Sequence, residues 1–426
     1  MSRPAVSRDE SFALALDQAD PLAACRQEFE HPRGPDGQPL IYLVGNSLGL
    51  MPRAVRGLIE QELDDWSRLG VEGHHQARTP WLHYHEQFRE SGARLVGARP
   101  GEVVMMNSLT VNLHLMMVSF YRPVGRRTRI VIEEHPFPSD VYAVSSHLRT
   151  RGLDPAVHLV TLRAEPGEPT IRTEAIEALF RERGEEIALI MLGGVNYYTG
   201  QLFDLARITE AAHRAGAVAG FDLAHAAGNV VLALHDWNVD FASWCSYKYL
   251  NAGPGAVAGC FVHERHGRDR SMPRYAGWWG NDPQVRFEMR PEFEPRMGAD
   301  GWQVSNPSVF AMAPLRASLD LFDRVGMEPL RAKSESLTGY LEALLLDLPG
   351  SPIRILTPSA AAERGCQLSL LAPGRGRWLH DSLRARGIVT DYREPDVVRM
   401  APVPFYNTHH EVWRTVQAVR AALNHG

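Results

Sequence analysis

Between about residues 103 and 262, short apolar runs alternate with amphipathic stretches, and that alternation leaves few folds open. The runs lie at 103–106, 129–133, 157–162, 187–192, 217–222, 241–246 and 256–262. They are near-continuously apolar, as expected of strands covered on both faces. Helical patterns at 108–120, 139–149, 173–183 and 205–215 separate most of them. Strands punctuated by helices imply an α/β fold with a mainly parallel, seven-stranded sheet. The stretch 266–302 is rich in Gly, Pro and Arg and is expected to be irregular, a feature often tied to function. A helix over 312–324 is expected to lead into a smaller α+β domain. Its strands fall near 353–356, 366–371 and 397–401, and its helices over 376–386 and 410–422. At 426 residues the chain has room for more than one core. It reads as an N-terminal segment (1–70) packing on the small domain, a large α/β domain (71–310) and a C-terminal α+β domain (311–426).

Charge and cysteine usage exclude several classes. The net charge of −5 is spread along the chain and basic residues do not cluster, so neither nucleic acid nor an anionic membrane is expected as partner. No apolar run approaches the roughly 20 residues that span a bilayer. The first ten residues mix charges around no apolar centre, so no secretory leader is expected. Cys25, Cys245, Cys260 and Cys366 lie far apart without metal-ligand spacing. Three of them sit in apolar runs, which fits a reducing, cytoplasmic setting. His83 and His85, and His409 and His410, lack a third ligand at metal spacing, so no catalytic metal is expected.

Two strand ends carry the chemistry. Asp222 closes the run Ala-Val-Ala-Gly-Phe-Asp, and Lys248 follows Phe-Ala-Ser-Trp-Cys-Ser, 26 residues later. In an open α/β sheet both point to the rim where ligands bind. Pyridoxal phosphate needs a lysine to hold it as a Schiff base and an acid to keep its pyridine nitrogen protonated. By spacing alone the pair equally fits a loop-capping aspartate and a lysine reaching to solvent. Asn107-Ser108-Leu109-Thr110 opens a helix after a strand, an arrangement that binds phosphate and is also an ordinary N-cap.

The wider sequence around these residues resembles the kynureninase family. The resemblance rests on Gly220-Phe221-Asp222-Leu223-Ala224-His225-Ala226 and on Trp244-Cys245-Ser246-Tyr247-Lys248-Tyr249-Leu250-Asn251-Ala252-Gly253. It extends to Leu109-Thr110-Val111-Asn112-Leu113-His114, Phe137-Pro138-Ser139-Asp140 and Tyr198-Thr199-Gly200-Gln201. Gly45-Asn46-Ser47-Leu48-Gly49 and Arg399-Met400-Ala401-Pro402-Val403-Pro404 flank these, in family order. The resemblance implies an aspartate-aminotransferase-like fold, a homodimer with sites at the subunit interface, and pyridoxal 5'-phosphate as cofactor. It implies that Lys248 carries the cofactor and that Asp222 pairs with its ring nitrogen beside His225. Leu109, Thr110 and Tyr247 would hold the phosphate. Phe137 would stack on the ring, with Pro138, Ser139 and Asp140 close by. Trp278 and Asn306 would reach the cofactor of the other subunit, and Arg399 would clamp the substrate carboxylate. Gly193 stands where the family often has Ser or Thr, so one hydroxyl contact is expected to be missing.

The activity so implied is hydrolytic cleavage of the Cβ–Cγ bond of kynurenine or 3-hydroxykynurenine, releasing alanine. Lys248 is expected to shuttle protons, with Tyr247 assisting. Asn46 and Ser47 are expected to donate to the γ-oxygen. His74, Ser305 and Asn306 match family members that prefer the 3-hydroxylated substrate. Other enzymes of the same fold, a cysteine desulfurase or an aminotransferase, and a non-catalytic homologue are the rivals; a desulfurase would need an exposed, activated cysteine.

Overall fold

The computed structural model describes residues 7–348, 350 and 352–425. Residues 1–6, the head of the charged stretch read above for a leader, lie outside them. The N-terminal segment contributes α1 (Glu10–Gln18), the two-residue strand β1 (Ile41–Tyr42) and α2 (Val55–Leu69).

All seven expected strands then form: β2 (Val103–Met105), β3 (Arg129–Glu133), β4 (Leu159–Leu162), β5 (Ile187–Gly193), β6 (Val218–Asp222), β7 (Phe241–Trp244) and β8 (Gly259–Val262). They make one sheet in the order β2-β8-β7-β6-β5-β3-β4. β4, β3, β5, β6 and β7 pair in parallel, and only β8 runs against its neighbours. The crossover helices are α3 (Leu109–Phe120), α4 (Pro138–Thr150), α5 (Thr173–Arg183) and α6 (Leu205–Arg214). β4 begins two residues later than its apolar run, because the Asp154 carboxylate accepts the Ala156 N–H and starts a helical turn at Pro155.

Side chains of the central strands alternate between two cores. Val131, Ile190, Leu192 and Phe221 enter one, and Ile130, Ile132, Leu189 and Met191 the other. Both faces are covered, which is why the runs are apolar throughout. Truncating a residue such as Ile190 to Ala costs about 2–5 kcal/mol, so the strand ends that carry the site are firmly held.

Two helices follow, α7 (Val309–Val325) and α8 (Met327–Leu346), split by Gly326 at φ +84°. Pro314 lies in the second turn of α7 and leaves the Phe310 carbonyl without its helical N–H. The C-terminal part adds β9 (Arg354–Ile355), β10 (Leu368–Leu371), α9 (Gly376–Arg384), β11 (Ile388–Val389), β12 (Asp391–Arg393), β13 (Val397–Met400) and α10 (His409–His425). β12, β13, β10 and β9 form an antiparallel sheet. The core under it includes Leu341, Leu344, Leu370, Val398 and Val416, and also Ala13, Ile41 and Leu43 from the N-terminal segment. β1 pairs in parallel with β11, whereas α2 lies against α7. The stretch 266–302 holds only short helical turns, as expected. No helix among the described residues is long and apolar enough to cross a membrane.

Candidate active site

The carboxyl ends of β3, β5, β6 and β7 and the N-terminus of α3 surround a cavity of about 180 Å³. Ser108, Leu109, Thr110, Phe137, Ser139, Asp140, Tyr197, Asp222, His225, Tyr247 and Lys248 line it. Parallel strands end together at one rim, so residues far apart in sequence converge there.

Each wall has a local cause. Asn107 takes a left-handed φ of +50° between β2 and α3, which an asparagine tolerates. Its amide donates to Asn112 Oδ1 at 2.9 Å, and Asn112 in turn donates to the Met106 carbonyl at 3.0 Å. The turn aims the N-terminus of α3 into the cavity, where its free N–H groups favour an anion. Thr110 Oγ1 and Ser139 Oγ hydrogen-bond at 2.8 Å. Gly220 lets the Phe241 ring cross behind β6; a Cβ there would lie 2.1 Å from it. Asp222 Oδ1 accepts the Ala224 N–H at 2.7 Å, which fixes the carboxylate.

The centre is buried and densely charged. Lys248 Nζ lies 3.0 Å from His225 Nε2. Burial, and then Lys248, Arg399 and Arg393, hold His225 well below the usual histidine range. The ring is therefore neutral, accepts from Lys248 through Nε2 and carries its proton on Nδ1. That Nδ1 is buried without a partner among the described residues. Burial raises Asp140 well above the ordinary carboxyl range, and the neighbouring Asp222 and Glu133 raise it further. It keeps its proton and donates it in a hydrogen bond to Asp222. Burial also pushes Tyr247 upward, so its phenol is protonated at neutral pH. Phe137 stands edge-on to Tyr197, with ring centroids 5.3 Å apart, and Lys248 Nζ lies 5.7 Å from the Phe137 ring.

The remaining expected residues lie outside this cavity. Arg399 is buried behind Tyr197, donates to the Tyr197 carbonyl at 2.8 Å and pairs with Asp391; its Nε has no partner among the described residues. Asn46 is buried and donates to Gln367 Oε1 at 2.8 Å, while Gln367 donates to the Tyr197 carbonyl. Ser47 is exposed on the turn beside it, its N–H bonded to the Val44 carbonyl. Pro138 is the first residue of α4 and exposed. Trp278, Ser305 and Asn306 are exposed on the irregular segment, and His74 packs against Trp81 with ring centroids 5.6 Å apart. The sequence reading missed Glu133, Tyr197 and Gln367. Glu133 ends a strand beside Glu134, and only the pleat tells which of the two points inward.

The residues present fit pyridoxal phosphate. A helix N-terminus with hydroxyls suits the phosphate, a buried Asp222 suits a protonated ring nitrogen, and the orphaned Nδ1–H of His225 awaits an acceptor.

Comparison with known proteins agrees. The family model for the kynureninase C-terminal domain matches residues 330–419. The chain is 56% identical to the kynureninase of Myxococcus xanthus (strain DK1622), over 98% of this chain and 99% of that one. It is 53% identical to the kynureninase of Koribacter versatilis (strain Ellin345), over the whole of both. Among solved structures, a C-DES variant with glycine covalently linked to its PLP cofactor superimposes with a TM-score of 0.76 at 18% identity, covering 92% of this chain and 98% of that one. The cysteine desulfurase CsdA of Escherichia coli gives 0.74 at 20% identity, covering 95% and 98%. The fold is thus that of the aspartate-aminotransferase-like enzymes. With full-length identity above half to bacterial kynureninases, and with a pocket built for pyridoxal phosphate, the chain belongs to the kynureninase family.

Proposed function

We propose that this enzyme hydrolyses the Cβ–Cγ bond of 3-hydroxykynurenine in preference to kynurenine, releasing L-alanine and the corresponding anthranilate. The observation that carries the activity is the buried constellation of Lys248, His225, Asp222 and Asp140 in a chain of this family. When bound, pyridoxal phosphate supplies the electron sink that stabilises negative charge beside the substrate amine. Lys248 would hold the cofactor through its Nζ, and the same amine, when free, would take the proton from the carbon beside the substrate amine. Neutral His225 accepts from Lys248 and keeps Nζ aimed into the cavity. Asp222, fixed by the Ala224 N–H, keeps the ring nitrogen protonated. Leu109 and Thr110 N–H groups and the Tyr247 hydroxyl hold the phosphate, and Phe137, Pro138 and Ser139 bound the ring. Tyr247 retains its phenolic proton and can lend it to the Cβ carbon left behind when the aryl acid departs. Arg399 binds the α-carboxylate through its planar fork, and Asp391 and the Tyr197 carbonyl set its angle. Asn46 and Ser47 serve the γ-oxygen as it gains charge, the Asn46 amide keeping one N–H on Gln367 and offering its second.

Across a homodimer interface Trp278 and Asn306 reach the cofactor, and His74, Ser305 and Asn306 complete the aryl side. Support comes from the exposure of Tyr275, Trp278, Phe287, Met289 and Met297, a concentration of large apolar side chains on one irregular stretch. We read the domains as 1–70, 71–310 and 311–426, the first packing partly on the last through β1 and β11. The four free cysteines fit a cytoplasmic enzyme, and the products place it in tryptophan breakdown or in the supply of NAD precursors. The test runs both substrates on the holoenzyme and follows alanine release. The hydroxylated substrate should win in kcat/KM, and His74→Ala should cut that preference about tenfold, the worth of one hydrogen bond. Equal or reversed preference in the wild type would sink the substrate assignment.

A further inference from the structure

Glu133 has no part in the roles above, yet its side chain lines the same cavity. It is the last residue of β3 and is buried. Its Oε1 accepts the Gly193 N–H at 3.0 Å. A Cβ on Gly193 would lie 2.9 Å from that oxygen, so the carboxyl occupies the space that any side chain at position 193 would claim. Gly193 pairs with Asp222 across β5 and β6, which sets Glu133, Gly193 and Asp222 side by side along the rim. Asp140 approaches the same group from α4, and Lys248 faces it from the loop after β7. Three buried carboxyls thus share one cavity with one lysine. Like charges so placed cannot all ionise together.

We propose that Glu133 is a cofactor-positioning residue: it fills the place left by Gly193 and fixes how many protons the Glu133–Asp140–Asp222 group holds, hence the charge that Asp222 presents to the pyridine nitrogen. The inference rests on Asp222 being the partner of that nitrogen. Burial first, and then the negative charge of Asp222, push the Glu133 carboxyl up to about 7, while the Gly193 N–H pulls it down. At neutral pH Glu133 therefore holds a proton part of the time and can donate one hydroxyl bond into the site, the bond that a Ser or Thr at position 193 would offer.

The experiment measures cofactor affinity of the apoenzyme by equilibrium dialysis, and the visible band of the holoenzyme against pH, in five proteins. Wild type should show an inflection of the bound-cofactor band as pH rises through the range in which Glu133 loses its proton. Glu133→Gln, the uncharged isostere, should keep wild-type affinity and lose that inflection. Glu133→Ala should weaken cofactor binding about tenfold, as expected for one lost hydrogen bond to a charged group. Gly193→Ser should also weaken it, because its Cβ meets Glu133. The double variant Glu133→Ala/Gly193→Ser should bind better than either single variant, since the serine hydroxyl enters the vacated space. A carboxyl that is merely part of the wall would leave the band's titration unchanged in Glu133→Gln and make the two losses add; either result overturns the proposal. Asp222→Asn is measured in parallel. If it leaves affinity and band unaltered, the Asp222 reading itself fails, a result that Glu133 variants cannot produce.

Discussion

The cofactor side and the substrate side of the site are built in different ways. The cavity on the cofactor side is lined mainly from the rim of one sheet: Thr110 after β2, Glu133 on β3, Asp222 on β6 and Lys248 after β7. The substrate side, as proposed, is gathered from separate pieces. Asn46 would come from the turn after β1, Arg399 from β13, and Ser305 and Asn306 from an irregular, exposed segment. The difference teaches that one core holds the cofactor in a finished socket, while substrate recognition depends on how the pieces meet. A finished socket is pre-organised before ligand arrives.

The largest effect should come from the socket. Lys248→Ala should lower turnover by about 10⁴-fold or more, since both the covalent link and the proton shuttle are lost. Absorbance of the lysine-bound cofactor should vanish with it, and normal turnover would break the mechanism. Arg399→Ala should leave cofactor affinity intact while lowering kcat/KM about 10²- to 10³-fold, mostly through KM, as for losing one member of a buried charged pair. Parallel losses in cofactor affinity would show that the two sides are not separable.

Mixing two impaired proteins sharpens the comparison further. With Lys248→Ala and Asn306→Ala subunits co-refolded, random assortment should leave ~25% of sites with both residues intact and raise activity above that of either parent, provided each site draws Asn306 from the opposite subunit. No recovery would return Asn306 to its own chain.

The smallest expected effect concerns stability. Glu133 has its carboxyl raised in the folded protein, from 4.5 to about 7. Its proton-linked contribution is fully present below about pH 4.5 and is lost as pH rises through about 7. Apoenzyme carrying Glu133→Gln should therefore lose less Tm than wild type between mildly acidic and mildly alkaline buffer, as read by calorimetry. Identical slopes would mean that Glu133 does not titrate in that window.

What the sequence revealed follows the same division. The seven apolar runs, Asp222 and Lys248 were legible because a parallel sheet imposes continuous apolar strands and puts ligand groups at their ends. The helix α8 was not, because Pro329 and Gly339 interrupt its pattern although the fold tolerates both. β11 and β12 are too short for any period to show. Glu133 was hidden because a strand-end glutamate reads as solvated. The same is true of Gln367, whose bonds to Asn46 and the Tyr197 carbonyl exist only in three dimensions. The neighbouring desulfurase folds also show how far architecture misleads about chemistry. Cys366, the residue such an activity would need, is fully buried and its thiol is pushed up to about 12, so no reactive thiolate forms.

The pairing of β1 with β11 reaches beyond the site. About 350 residues separate Ile41 from Ile388, so the contact order of this ladder is very high. On the ribosome, Ile41 and Leu43 emerge early and have no β11 to dock on until nearly the whole chain has been made. Val44, at the head of the turn that carries Asn46, bridges to Ala401, and the Leu43 carbonyl accepts the Ala401 N–H at 2.8 Å, so this end of the turn is anchored only then. Nascent chains stalled before residue 388 should therefore hold a folded large sheet and no competent substrate side, leaving the first apolar strand open to chaperones.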